Sequence, residues 1–254
     1  MNITGKYYKP SMPNGRDGTH GTDMKNKHIG SSFDDFLKSE EEGKMRQDLT
    51  DITVVLDRSG SMAVVANDTK HGFDQFVRDQ REAPGDAVLT LVQFDTDYEF
   101  IHKARNIQDV PELKFKPRGL TALLDAVGKA IVETGERLSK MAEYERPGKV
   151  VFVIMTDGEE NSSKEYTKAQ INEMISKQSN VYKWQFVFLG ANQDAIQAGV
   201  SYGIDATNSI NFAHTGKGTT NVFAATSSNL KSYRAGTCDN MSYSDVDREK
   251  TMED

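Results

Sequence analysis

The chain has 254 residues, a formal net charge of −7, 37% hydrophobic residues and one cysteine. That length suits one α/β domain with polar ends, and a lone cysteine excludes an internal disulfide framework and any cysteine-built zinc or iron–sulfur site. The acidic balance argues against a bulk electrostatic binder of nucleic acid, and no apolar run approaches the ~20 residues that span a bilayer. Residues 1–8 lack the apolar core of a signal peptide. A cytoplasmic protein without membrane association is expected.

Residues 1–50 read as a polar N-terminal arm. Gly5, Gly15, Gly18, Gly21, Gly30, Pro10 and Pro13 interrupt it. Ser32 with Asp35 three residues on, and Phe33, Phe36 and Leu37 on one face, predict a short amphipathic helix over 32–41. At Asp51 the pattern changes. Residues 52–56, Ile-Thr-Val-Val-Leu, are a β-branched apolar run of the kind buried on both faces of a parallel sheet. Phe73, Phe76 and Val77 follow at helical spacing. Residues 87–94 predict a strand, 95–97 a turn, and 98–103 a half-exposed edge strand, hence an antiparallel hairpin.

Leu124, Val127, Ile131, Leu138 and Met141 mark a long helix, and 150–155 is the most apolar strand, so it should be central. Ser162 with Glu165 reads as a capping box that opens a helix carrying Ile171, Met174 and Ile175. Residues 184–189 are another strand, and Asn192 is placed to cap a helix with Ile196 and Val200. A short strand at 209–212 and a helix with Val222, Phe223, Thr226, Leu230 and Tyr233 close the domain at 236. Residues 237–254 read as a polar C-terminal tail. Alternating strands and helices predict an α/β fold: a doubly wound, mostly parallel six-stranded sheet with one antiparallel edge strand and helices on both faces.

In such a sheet, ligands bind beyond the carboxyl ends of the strands where the strand order reverses. After the first strand comes Asp57-Arg58-Ser59-Gly60-Ser61-Met62, which offers one carboxylate and two hydroxyls at two-residue spacing. Thr121 lies in Gly119-Leu120-Thr121-Ala122-Leu123 at the start of the long helix, and Asp157 in Thr156-Asp157-Gly158 after the central strand. If the strands at 52–56 and 150–155 are neighbours, these loops converge. Oxygen-only donors of this hardness suit Mg²⁺ or Mn²⁺ and not zinc. Other polar groups take plainer readings: Asp95 and Asp97 as turn residues, Glu159 and Glu160 as solvated neighbours, Arg58 as a surface residue, Asn192 and Asp194 as a helix start. His20, His28, His71, His102 and His214 show no ligand spacing, and Cys238 has no base beside it.

These residues resemble the von Willebrand factor A domain family and its metal-ion-dependent adhesion site. Asp57, Ser59 and Ser61 match the family's Asp-x-Ser-x-Ser, Thr121 its threonine loop, and Asp157 the aspartate after its fourth strand. The likeness covers roughly residues 51–236. The stretch 188–194 resembles stand-alone bacterial and bacteriophage members. The resemblance implies that Ser59, Ser61 and Thr121 coordinate the metal directly, that Asp57 and Asp157 hold it largely through water, and that the ion accepts a Glu or Asp carboxylate from a protein partner. It also implies an intracellular adaptor that works with an AAA+ ATPase of the MoxR or magnesium-chelatase type.

A structural or virion-associated subunit of a phage or other assembly is the alternative, and a metal-assisted hydrolase is the least favoured reading. Enzyme motifs fail at defining positions. Position 59, where a haloacid-dehalogenase-type phosphatase needs its second carboxylate, is serine. The segment Gly216-Lys217-Gly218-Thr219 lacks the upstream glycine of a phosphate loop, and position 57 lacks the glycine of a hydrolase elbow. No catalytic residue is expected.

Overall fold

The structure, a computed structural model, describes residues 44–191 and 194–253. The helix expected over 32–41 lies outside the described residues. Strands β1 (Arg46–Asp57), β2 (Asp86–Phe94), β3 (Tyr98–Asn106), β4 (Pro147–Thr156), β5 (Gln185–Ala191) and β6 (Ser209–Phe212) form one sheet. Its order is β3-β2-β1-β4-β5-β6. Only β2–β3 pairs antiparallel; the other four pairings are parallel. The helices are α1 (Ala66–Glu82), α2 (Leu123–Lys140), α3 (Lys168–Tyr182), α4 (Ala195–Ser201), α5 (Gly216–Arg234) and α6 (Asp245–Thr251).

Alternation along the strands builds two cores, one on each face of the sheet. Ile52, Val54 and Leu56 of β1 face Phe73 and Phe76 of α1 and Val222 and Leu230 of α5. Val55 faces the other way, to Leu123, Val127 and Ile131 of α2 and Ile171 and Ile175 of α3. The second core also carries Asp51, which is fully buried and bound by the Arg137 guanidinium of α2 at 2.5 Å. Burial pushes the Asp51 carboxyl up against the pull of Arg137.

Three sequence expectations are corrected here. The first strand begins at Arg46, inside the expected arm. Leu49 and Thr50 are buried, and the Arg46 N–H bonds Arg146 O at 2.8 Å. The helix after β4 begins at Lys168, and Ser162 does not cap it. The N–H groups of Ser162 and Ser163 are taken by Glu160, and those of Lys164, Glu165 and Tyr166 by Asp125 of α2. No donor is left for a cap until Thr167, which forms a capping box with Gln170.

The third correction concerns residues 237–254, which are not a tail. Met241 is fully buried and Tyr243 nearly so, and both join the core beneath α5. Tyr243 Oη pairs with Thr226 Oγ1 at 2.9 Å. Helix α6 then lies along β6: Arg248 donates to Ser209 O, Thr251 Oγ1 donates to Asn211 O, and Ala213 N–H donates to Thr251 O, each at 2.8 Å. Two isolated apolar residues thus anchor a segment whose composition is polar. Met241→Ala should lower unfolding free energy by about 3 kcal/mol, as buried methionine truncations do, measured by urea denaturation. An unchanged midpoint would mean the segment contributes nothing to the fold.

Candidate metal site

Strands β1 and β4 are adjacent and parallel, and the chain leaves them in opposite directions across the sheet. Their carboxyl ends therefore open onto the crevice where ligands bind. Asp57, the last residue of β1, is fully buried. Its Oδ2 accepts a 2.6 Å hydrogen bond from Thr156 Oγ1 at the end of β4, and its Oδ1 accepts the Ser59 N–H at 2.6 Å. Burial pushes the Asp57 carboxyl up to about 6, the two hydrogen bonds oppose that shift, and the nearby Asp157 charge adds to it.

The serines stand above this carboxylate. Ser59 Oγ lies 3.1 Å from Ser61 Oγ, and Ser61 Oγ donates to Asp157 Oδ1 at 2.8 Å. Ser59 and Asp157 are buried while Ser61 is exposed, so the row of oxygens climbs to the surface. The third loop is docked on both. Gly60 N–H donates to Gly119 O at 3.2 Å, and Arg118 N–H to Arg58 O at 2.8 Å. Thr121 N–H donates to Asn161 Oδ1, and Asn161 N–H returns to Thr121 O. A Cβ placed on Gly158 would sit 3.8 Å from Thr121 Oγ1, so that hydroxyl borders the turn after Asp157. Gly119 itself has φ +69°, where a Cβ would meet Thr96 Oγ1 at 2.7 Å. Only glycine takes that corner without strain.

The donor set fits a hard divalent cation. It consists of three hydroxyls and two carboxylates, and Asp157 Oδ2 is a buried acceptor with no hydrogen-bond partner among the described residues. No three His, Cys, Asp or Glu side chains cluster as a metal site among those residues. The hydroxyls must therefore supply much of any coordination. A cavity of about 460 Å³ lined by Ser176, Asn180, Gln185, Asp205 and Asn240 lies at the amino end of β5, away from these loops.

Several flanking residues depart from their sequence readings. Arg58 is not a surface residue. Its side chain is buried and clamped by Asp95 at 2.8 Å, Glu99 at 2.9 Å and Gln93 at 3.3 Å. Asp95 does form the expected turn, accepting the Asp97 N–H at 3.0 Å, but it also receives Arg118 at 2.9 Å. Burial alone would raise Asp95; the Asp97 N–H and the two arginines outweigh it and hold the carboxyl below its ordinary value. Glu160 is not simply solvated: it accepts the Leu124 N–H at the start of α2 at 3.0 Å, besides Ser162 and Ser163. Glu159 is exposed as expected. Asp194 caps α4 through the Gln197 N–H, while Asn192 lies outside the described residues. His214 is the group the spacing did not flag: its Nε2 stands 3.1 Å from Asp157 Oδ2.

The von Willebrand factor type A domain matches residues 51–235. The chain belongs to that family. The vWA fold here is similar to proximal thread matrix protein 1 from the mussel byssus, with TM-score 0.52 and 14% identity over 72% of this chain and 46% of that one. A structure of the same mussel protein with a zinc-occupied MIDAS motif gives TM-score 0.53 at 14% identity, covering 75% of this chain and 46% of that one. This chain thus spans about half the length of that protein, and the likeness concerns the fold. No curated protein matches the chain.

Arg58 and Glu160 support the vWA loops from outside the motif, and both can be probed without touching a candidate ligand. Arg58→Ala should destabilise by about 3 kcal/mol, because it strips a buried ion-pair network of its inner cation. Glu160→Ala should cost about 2 kcal/mol through the lost N-terminal cap of α2. Chemical unfolding of both variants checks the order, and a Glu160→Ala loss larger than that of Arg58→Ala would contradict it.

Proposed function

We propose that this vWA domain is a divalent-cation-dependent protein-binding module, with Asp57, Ser59, Ser61, Thr121 and Asp157 as the residues that hold the ion. The observation that carries the reading is the continuous path of oxygens from Ser59 Oγ through Ser61 Oγ to Asp157 Oδ1, laid over the buried Asp57 carboxylate. Mg²⁺ or Mn²⁺ suits an oxygen-only set of this kind. When bound, the cation supplies a Lewis-acidic position for a carboxylate. The chain's own part is to hold neutral hydroxyls around that position, with the Asp57 and Asp157 carboxylates beside them, so that a place is left for a carboxylate from outside. A Glu or Asp of a partner protein then completes the balance.

Binding is favoured over catalysis because, among the described residues, no serine or threonine hydroxyl of these loops is hydrogen-bonded to a histidine or lysine; Ser61 and Thr156 donate to the carboxylates of Asp157 and Asp57 instead. Around the mouth, Arg118, Leu120 and Val64 are exposed, offering one cationic and two apolar contacts to whatever docks there. We read the module as an intracellular adaptor that presents a client to an AAA+ ATPase of the MoxR type. That reading implies a cytoplasmic setting, the host's cytoplasm if the gene is a phage's. Support comes from the family motif and from the likeness of residues 188–194 to stand-alone bacterial and phage members. No helix among the described residues is long and apolar enough to cross a membrane.

The double variant Ser59→Ala/Ser61→Ala separates this reading from a purely structural loop cluster. For the wild type, Mg²⁺ or Mn²⁺ at about 100 times its dissociation constant should add about 2.7 kcal/mol of stability, and partner capture should be lost in EDTA. The double variant should fold, lose the cation-dependent shift and lose capture. Capture that persists in EDTA would overturn the metal-bridge mechanism.

A further inference from the structure

One side chain at the site comes from outside the motif. His214 follows β6, two strands away from β4, yet its Nε2 stands 3.1 Å from Asp157 Oδ2. Both atoms are buried, and neither has a hydrogen-bond partner among the described residues. They are within ion-pair distance of each other but form no hydrogen bond. Two buried polar atoms left side by side in this way carry a desolvation cost that no hydrogen bond offsets.

That arrangement is what two neighbouring donors on one cation look like. Ligands each about 2.1 Å from an ion, and at right angles in an octahedron, lie about 3.0 Å apart. Their lone pairs aim at the ion rather than at each other, so the hydrogen-bond geometry between them is poor. The adjacent oxygens lie as close, 3.1 Å between Ser59 Oγ and Ser61 Oγ and 2.8 Å between Ser61 Oγ and Asp157 Oδ1, but hydrogen bonds account for those separations, so the unbonded His214–Asp157 pair carries the argument.

We propose that His214 Nε2 and Asp157 Oδ2 are adjacent donors to a single divalent cation, so that the site carries one nitrogen ligand and favours Mn²⁺ or Zn²⁺ over Mg²⁺. The proposal rests on the reading that these loops bind a cation. It revises the oxygen-only donor set, because imidazole is a poor ligand for Mg²⁺ and a good one for the borderline transition ions. The sequence hides this ligand, since no other histidine lies near His214 in the chain and the imidazole reaches Asp157 only through the strand order.

The test uses the full chain without a polyhistidine tag in a buffer free of nitrogen ligands. Electron spin-echo envelope modulation of the Mn²⁺-loaded protein should show nitrogen-14 coupling in the wild type and none in His214→Gln. Titration calorimetry should show that His214→Gln loses at least roughly tenfold in Mn²⁺ and Zn²⁺ affinity, while Mg²⁺ affinity stays within about a factor of three. Three results would overturn the proposal: a wild-type spectrum without nitrogen coupling, coupling that survives in His214→Gln, or an equal loss for all three ions, which would make His214 a positioning residue for Asp157. If Mn²⁺ fails to bind the wild type at all, the cation reading of the loops falls with it; Mn²⁺ binding without nitrogen coupling overturns the role of His214 alone.

Discussion

A buried negative charge at the point where the sheet changes direction sets the terms for the rest of the molecule. Asp57 is fully enclosed, and the hydrogen bonds it accepts come from two neutral groups, the Thr156 hydroxyl and the Ser59 N–H. The first bond fastens the last residue of β1 to the last residue of β4, and the second sets the start of the loop after β1. They do not neutralise the charge. Burial pushes the carboxyl up to about 6, so its charged form sits in surroundings that disfavour it. A cation above it would relieve that conflict, and the row of hydroxyls is the scaffold on which one can sit.

Around this centre the loops are tied from outside. Arg58 stands between Asp57 and Ser59 in sequence, but its guanidinium runs away from them into the Asp95–Glu99–Gln93 cluster, which fastens the first loop to the β2–β3 hairpin. Glu160 and Asp125 stitch the loop after β4 to the first turn of α2. Asn161 grips Thr121 on both sides of its peptide. None of these groups belongs to the motif. They hold the motif residues still, which a binding site requires before its donors can act together.

Much of the fold was legible because the chain spells it in long apolar periods. The runs at 52–56 and 150–155 are continuous and β-branched, as centrally buried parallel strands must be, and they are the neighbouring strands of the sheet centre. The hairpin at 95–97 was readable from its aspartates. The five candidate residues stood out by type and order, and the structure brings Ser59, Ser61 and Asp157 into one hydrogen-bonded row over Asp57. What stayed hidden depends on contacts between distant parts of the chain. Arg58 looked solvated because its partner Asp95 lies in the turn after the next strand. Ser162 with Glu165 looked like a helix start because Asp125, which claims the Glu165 N–H, comes from α2. Met241 and Tyr243 are single apolar letters in a polar run, with no period to mark them. His214 is one histidine with no neighbour of its kind.

The two margins of the sheet are treated differently, and together they restrict how this molecule can meet others. At one margin, α6 covers β6, with Arg248 and Thr251 taking the carbonyls of Ser209 and Asn211. At the other, β3 is exposed but broken. Its register slips twice against β2, Ala104 turns into the left-handed region at φ 44°, and Glu99, Lys103 and Arg105 face water. A capped margin and a kinked, charged one both resist the addition of a foreign strand. Lateral growth of the sheet into ribbons or fibrils is thereby discouraged at both ends, so contact with other proteins is directed to the helical faces and the loop crest above β1 and β4.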